Sequence, residues 1–142
     1  GAPLVAELHE LKENDMKHHL IAAIGFLLQL NSIALAEGDA TKGATIFKKC
    51  VACHDATNAK NKTGPHLLGI VGRNIASVPD YKFSAAMLEY AKLNETWDEE
   101  KLDTYFSDPR KTVPGTKMAF GPLRNAEDRA HLIAYLKTLV AP

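Results

Sequence analysis

The two cysteines of this 142-residue chain lie in one short stretch, Cys50-Val51-Ala52-Cys53-His54. The spacing is C-x-x-C with a histidine directly after the second cysteine, a combination that two randomly placed cysteines rarely produce. In such a stretch the thiols add to the two vinyl groups of a haem, and the histidine binds the iron. The motif therefore predicts one covalently attached haem c, with thioether bonds to Cys50 and Cys53 and with His54 as an axial ligand.

Three alternative roles for the cysteine pair fit the sequence less well. A thioredoxin-like dithiol needs a βαβ setting, and the sequence shows none. A structural zinc site needs about four ligands, but the chain has no second cysteine pair. A plain disulfide between Cys50 and Cys53 accounts for neither the adjacent His54 nor the long loops that follow.

The second axial position of the iron needs a ligand from elsewhere in the chain. Met118 is the candidate, because a stiff Pro-Gly loop precedes it and a methionine ligand raises the reduction potential of a haem. Met87 falls in an apolar helical pattern, so we expect it in the core. His66 and His131 remain alternatives, although each is more often a structural or surface residue than a ligand.

The first two helices of the folded domain are predicted from their N-terminal caps. One covers about Thr41–Cys50 with Asp39 as its N-cap, which places the cysteine motif at the end of a rigid helix. The next begins after Ser84. No run of alternating polar and apolar residues is long enough to predict a strand.

Two further helices are predicted nearer the C-terminus. The stretch Thr96-Trp97-Asp98-Glu99 is a capping-box pattern that opens the third helix, and Pro109 follows its end. The fourth helix starts at Asn125 and carries an apolar stripe of Leu132, Leu136 and Leu139. Loops as long as 55–83 and 107–124 are unusual in a compact domain, but a haem core gives them a group to surround. The pattern predicts an all-α fold.

The first 36 residues read as a separate unit. Residues 16–36 have a positive start, an apolar middle and a small-residue A-x-A end, as in a secretory signal peptide cleaved after Ala36. An uncleaved anchor is the alternative, and residues 1–15 are an upstream extension without a predicted role. The chain has no net charge, so no strong field predicts nucleic-acid binding. The folded, haem-binding domain would be residues 37–142.

Five landmarks then occur in the order found in one known family: GDATKGATIFKKCVACH, TGPHLLGIVGR, the Trp97 segment, VPGTKMAF and EDRAHLIAYLK. Residues 37–141 resemble class I c-type cytochromes, especially the cytochrome c2 and mitochondrial-like group. The resemblance implies the cytochrome c fold, in which short helices and long loops surround one haem. It also implies an electron-transfer protein rather than an enzyme.

The resemblance assigns roles to residues around the haem. The carbonyl of Pro65 would accept a hydrogen bond from His54, which fixes the tautomer of that ligand. The remaining roles are propionate binding by Arg73 and Trp97, hydrogen bonding around Met118 by Tyr105 and Thr116, and helix packing of Gly43 and Phe47 against Leu132 and Tyr135. The chain departs from the family at Phe83, where a tyrosine is common and Tyr81 is a possible substitute, and at His66, where asparagine is usual.

The function implied is one-electron transport in the periplasm between respiratory or photosynthetic membrane complexes. The cytochrome bc1 complex is the expected donor, and a terminal oxidase or photosynthetic reaction centre is the expected acceptor. Membrane contact would occur only through these partners or an uncleaved leader. Six lysines near the motif or the Met118 loop would steer an acidic partner: Lys48, Lys49, Lys60, Lys62, Lys111 and Lys117.

Two further classes of function are compatible with the sequence. A haem peroxidase or nitrite-type reductase would need an open iron position, against which Met118 argues. A haem subunit attached to a larger oxidase would keep the apolar segment 20–36 as an anchor.

Overall fold

The computed structural model describes residues 37–140. Five α-helices occur in this part, namely α1 (Ala40–Phe47), α2 (Ala85–Leu93), α3 (Glu99–Ser107), α4 (Pro109–Thr112) and α5 (Ala126–Lys137). Extended pairing between residues 37 and 140 is limited to one isolated antiparallel bridge, from Asn74 to Thr96. The predicted extension at 1–15 and signal peptide at 16–36 lie outside the described residues and stay predictions.

Helix α1 begins where the sequence predicts but ends earlier. The side chain of Asp39 accepts hydrogen bonds from the amides of Thr41 and Lys42, which makes it the N-cap. The helix ends at Phe47 rather than at Cys50. The Cys50 N–H bonds to the Phe47 carbonyl at 2.7 Å, three residues back, and such bonds tighten the chain into turns. The cysteine motif therefore follows α1 in a hydrogen-bonded turn, and the predicted end of the helix at Cys50 is wrong.

The capping box predicted for α3 is also wrong. The N-cap is Asp98, whose carboxylate accepts the Lys101 amide at 2.8 Å. Thr96 belongs to the bridge with Asn74, and the Trp97 amide donates to the Arg73 carbonyl at 2.9 Å. This tertiary pairing holds the backbone extended at residues 96–97, so the helix starts only after it.

Pro109 begins a helix instead of only following one. It is the first residue of α4, and the side chain of Asp108 caps that helix by accepting the Lys111 amide. A proline suits this position because its fixed φ is already helical and its missing N–H would have no partner in the first turn. Helices α2 and α5 start after Ser84 and Asn125, as predicted.

Helices α1 and α5 cross at very close range. An ideal Cβ on Gly43 would lie 2.7 Å from the Tyr135 Cβ and still closer to the His131 carbonyl oxygen, so only glycine fits. Beside it, the rings of Phe47 and Tyr135 lie 5.1 Å apart. The packing predicted from the resemblance is confirmed, and it joins the segment that carries the cysteine motif to the last helix.

The core lies between α3, α5 and the loops. Leu102 and Tyr105 of α3 are buried, as are Leu132, Ile133 and Leu136 of α5. Arg129 links these two helices, because its guanidinium donates to the Asp103 carboxylate at 2.7 Å and to the Leu123 carbonyl at 2.9 Å. Among residues 37–140, no helix has both the length and the apolar character that a membrane span requires.

Candidate haem-binding site

A cavity of about 390 Å³ opens in the core. Its wall contains Cys50, Cys53 and His54 from the motif after α1 and Met118 from the loop after α4. Its lining also includes five residues to which the resemblance gave roles, Pro65, Arg73, Trp97, Tyr105 and Thr116. The fold thus gathers at one cavity all nine residues that were predicted to attach, ligate or contact a haem.

The imidazole of His54 is held in a defined orientation. Its Nδ1 lies 2.7 Å from the Pro65 carbonyl oxygen, which can only accept, so Nδ1 carries the proton and Nε2 keeps its lone pair. Burial lowers the pKa of His54, although the bond to Pro65 opposes the shift, and nearby Lys62 lowers the pKa further. The ring is therefore neutral, the form that binds a metal.

Gly64 makes room for this imidazole. An ideal Cβ on Gly64 would lie 2.7 Å from Nδ1 of His54 and closer to its Cε1. The Gly64 amide also donates to the Cys53 carbonyl at 2.7 Å. Any side chain at this position would displace either the ring or the backbone that carries the motif.

The two cysteines differ in exposure. Cys53 is exposed, whereas Cys50 is only partly exposed. Burial raises the pKa of the Cys50 thiol, and the charge of Lys49 partly offsets that rise. Both residues line the cavity together with His54, which is the arrangement that double attachment of one porphyrin requires.

A hydrogen-bond chain holds the Met118 loop. Tyr105 and Thr116 join through their hydroxyl oxygens at 2.8 Å, and the Met118 amide donates to the Thr116 hydroxyl at 3.2 Å. Gly115 has a φ of +94°, a conformation that side chains disfavour. The bonds predicted around Met118 from the resemblance are therefore present.

The alternatives to Met118 as a ligand differ in whether they line the cavity. Met87 packs against the core as predicted, but it is only partly buried and also lines the cavity. His131 is buried away from this cavity, and its Nδ1 accepts the Asp39 amide at 2.8 Å. His66 is likewise not part of the cavity wall. The described candidates that reach the wall are thus Met87 and Met118.

Arg73 provides the test of whether a haem fits this cavity. Its Nη1 donates to the Leu68 carbonyl at 2.7 Å and its Nη2 to the His66 carbonyl at 3.1 Å. Its Nε is buried and has no partner among the described residues. A buried donor without a partner costs about 1–3 kcal/mol, and a propionate carboxylate in the cavity would remove that cost. The lining therefore fits a haem.

Tyr81 does not take the place of the tyrosine that is common in the family where this chain has Phe83. The two rings pack edge to face at 4.8 Å and both line the cavity. However, the Tyr81 hydroxyl donates to the Thr63 carbonyl at 2.9 Å. A phenol has one proton to donate, so this proton is not available to a propionate.

The six predicted docking lysines are exposed. Lys49 and Lys117 also contribute to the cavity wall. Two of the six ammonium groups bond to backbone carbonyls, Lys62 to that of Val51 and Lys117 to that of Lys82 at 3.2 Å. These lysine contacts were not predicted from the sequence. Nor was the contact of Asn61, whose side-chain oxygen accepts the His66 amide at 3.1 Å, because a polar residue in a loop belongs to no helical or strand pattern.

This all-α fold around a cavity lined by a C-x-x-C-H motif and a methionine loop defines a class I c-type cytochrome. The chain belongs to the cytochrome c family, whose model matches residues 40–140. It is 42% identical to cytochrome c2 of Rhodomicrobium vannielii over 87% of this chain and 97% of that protein. Cytochrome c2 of Agrobacterium tumefaciens is 44% identical over 70% of this chain and 91% of its own length.

A solved structure gives the same result. Cytochrome cH from Methylobacterium extorquens has a TM-score of 0.66 and 40% identity, and the match covers 71% of this chain and 99% of that one. The predicted family, the all-α fold, the single covalent haem c and the electron-transfer role are confirmed by these comparisons. The chain is an electron carrier that exchanges electrons with redox partners, not an enzyme.

Proposed function

We propose that this protein carries single electrons through the periplasm, with its haem attached to Cys50 and Cys53 and its iron held between His54 and Met118. The observation that carries the proposal is the shared cavity wall, which brings these four residues together. The bound haem supplies an Fe(II)/Fe(III) couple, whose potential is raised by a methionine ligand and a dry, apolar surround.

The protein contributes rigid ligands. Pro65 fixes the tautomer of His54, and Thr116 and Tyr105 hold the loop that presents Met118. We expect both ligands to keep these partners in either oxidation state, so that the chain would have little need to rearrange when an electron is gained or lost. Arg73, with its free Nε, and buried Trp97 are the proposed propionate partners.

The choice of Met118 is tested by comparing two methionine variants of the holoprotein. Sulfur ligation gives ferric haem an absorption band near the red end of the spectrum. We expect Met118→Ala to lose that band and to lower the reduction potential, whereas Met87→Ala keeps the band. Loss of the band in Met87→Ala, with retention in Met118→Ala, would assign the ligand to residue 87.

The proposed partners are the cytochrome bc1 complex as donor and a terminal oxidase or photosynthetic reaction centre as acceptor. Support comes from the match to cytochromes c2 and from the exposure of the six lysines. Val51, Ala52 and Cys53 are exposed and directly follow Lys48 and Lys49 in the chain, so two positive charges lie next to the segment that carries the thioether bonds. Such charge speeds encounter with an acidic partner more than it tightens binding.

The docking proposal is tested by neutralising the four lysines whose ammonium groups are not bonded to the carbonyls described above. Glutamine at Lys48, Lys49, Lys60 and Lys111 should slow association with a bc1 complex at low salt and flatten its dependence on ionic strength. A matched control neutralises Lys92, which pairs with Glu89 within α2, and Lys137, which pairs with Glu99 of α3. Equal slowing by both sets would contradict a specific docking face.

The location is tested by sequencing the mature N-terminus of the protein after export. Cleavage of the predicted leader should leave Glu37 as the first residue. A mature chain that retains residues 20–36 would instead favour the anchored alternative.

A further inference from the structure

The peptide unit between Pro65 and His66 is hydrogen-bonded on both of its edges. Its carbonyl oxygen accepts the Nδ1 proton of His54 at 2.7 Å, and its N–H donates to the side-chain oxygen of Asn61 at 3.1 Å. No cis peptide bond occurs among residues 37–140. A trans peptide is a rigid plane whose C=O and N–H point in opposite directions. The His54 imidazole and the Asn61 side-chain amide therefore bond to the same rigid peptide from opposite sides.

The amide of Asn61 is itself fixed. Its Nδ2 donates to the Pro79 carbonyl at 2.9 Å. Only Nδ2 can donate and only Oδ1 can accept, so the two bonds together determine which way the amide faces. Asn61 is partly buried, and this burial limits competition from water for the bond from the His66 N–H, whereas the bond to Pro79 is exposed.

We propose that Asn61 is a positioning residue for the haem iron, acting through the Pro65–His66 peptide on His54; the inference rests on the proposed ligation by His54. Accepting the His66 N–H polarises the peptide and strengthens its carbonyl as an acceptor. A stronger bond to Nδ1–H makes His54 a more basic ligand. A more basic ligand favours Fe(III), so Asn61 holds the reduction potential down while Met118 raises it.

Two substitutions at position 61 distinguish the effect of accepting the His66 N–H from the effect of the bond that joins Asn61 to the Pro79 loop. Asn61→Ala and Asn61→Asp both remove the donor to Pro79, but only Asn61→Ala removes the acceptor for the His66 N–H. Asn58→Ala is the matched control, since Asn58 lies in the same loop and its amide donates only to neighbouring Thr57 among the described residues. All variants are studied as holoprotein at neutral pH, in the ferrous state for hydrogen exchange and by redox titration for the potential.

The main measurement is hydrogen exchange of the His54 Nδ1 proton and the His66 amide by NMR. In Asn61→Ala we expect both to exchange about three- to tenfold faster, as the loss of one hydrogen bond implies. In Asn61→Asp and Asn58→Ala both should stay within about twofold of the wild type. The Fe(III)/Fe(II) ratio of Asn61→Ala at a fixed potential should fall about threefold, equivalent to about 28 mV for one electron.

Three results overturn the proposal. One is wild-type exchange and potential in Asn61→Ala, even if its melting temperature falls. Another is equal acceleration in Asn61→Ala and Asn61→Asp, which would assign the effect to the Pro79 link. If Asn61→Ala yields no folded holoprotein, fast exchange of both protons in Asn61→Asp still overturns it. Failure of the ligation itself is distinguishable, because the wild type would then lack a histidine–methionine spectrum.

Discussion

Replacing Gly43 by alanine tests the closest contact in the fold. Gly43 is buried where α1 crosses α5, and an added Cβ would meet the His131 carbonyl oxygen as well as the Tyr135 Cβ at 2.7 Å. The nearest atom belongs to the backbone of a helix, which cannot turn aside as a flexible side chain can. The two helices must therefore separate, and the packing of Phe47 against Tyr135 must loosen with them.

The net effect is a difference of two opposing terms. Alanine is favoured over glycine in a helix interior by about 0.5–1 kcal/mol. Forcing an extra methyl group into a packed interface costs about 1–3 kcal/mol, and contacts this short place Gly43→Ala at the upper end. We expect a loss of about 2 kcal/mol in the free energy of unfolding. For a domain near 100 residues this lowers the melting temperature by roughly 8–16 °C.

Gly121→Ala is the matched control for this measurement. An ideal Cβ on Gly121 meets nothing within 4 Å, so this substitution should leave the stability unchanged or slightly raised. Thermal and denaturant unfolding of both ferric holoproteins, followed by circular dichroism, gives the comparison. Equal stability of Gly43→Ala and Gly121→Ala would refute the argument that helix contact at Gly43 excludes a side chain.

Three further predictions concern hydrogen bonds and ion pairs. Tyr105→Phe and Thr116→Val should each destabilise the holoprotein by about 1 kcal/mol, and fully additive losses in the double variant would show that their 2.8 Å contact contributes nothing. A lysine at position 129 cannot bond at once to the Asp103 carboxylate and to the carbonyls of Leu123 and Arg124, so Arg129→Lys should lower the free energy of unfolding by about 1–2 kcal/mol. Lys92→Gln, which breaks an exposed ion pair, should change it by less than about 0.5 kcal/mol. Similar losses in the two variants would contradict this prediction. The pKa of Asp39 is lowered from 3.8, chiefly by the hydrogen bonds from the Lys42 and Thr41 amides, so its stabilisation is present above that value and is lost as the pH falls through the lower folded pKa. Asn at position 39 keeps an acceptor but does not titrate, so its acid unfolding curve should be flatter, and an unchanged curve would count against the cap.

The sequence predicted features whose signals lie close together in the chain. The caps at Asp39, Ser84 and Asn125 stand next to the helices they start, so local pattern was sufficient. The start of α3 was predicted too early because a contact between distant parts of the chain, the bridge of Thr96 with Asn74, keeps Thr96 out of the helix.

The functional residues divide in the same way. The cysteine motif is contiguous and chemically specific, and the methionine loop is marked by Pro114 and Gly115. Asn61 acts through partners at Pro79 and at the His66 peptide, and nothing in its own neighbourhood reveals them. His131 likewise serves as the acceptor for an amide 92 positions away, a use of histidine that no helical pattern can predict.

The two proposed iron ligands share one principle of construction. The Pro65 carbonyl orients His54, and the peptide that carries this carbonyl is bonded to Asn61. The Met118 amide donates to the Thr116 hydroxyl, which is bonded in turn to Tyr105. Neither partner ionises in the neutral range, since a peptide has no such proton and burial raises the pKa of Tyr105. The supports of both proposed ligands therefore keep their charge throughout the neutral pH range. For this reason we expect a protein built largely from loops to hold the iron rigidly enough for one-electron transfer.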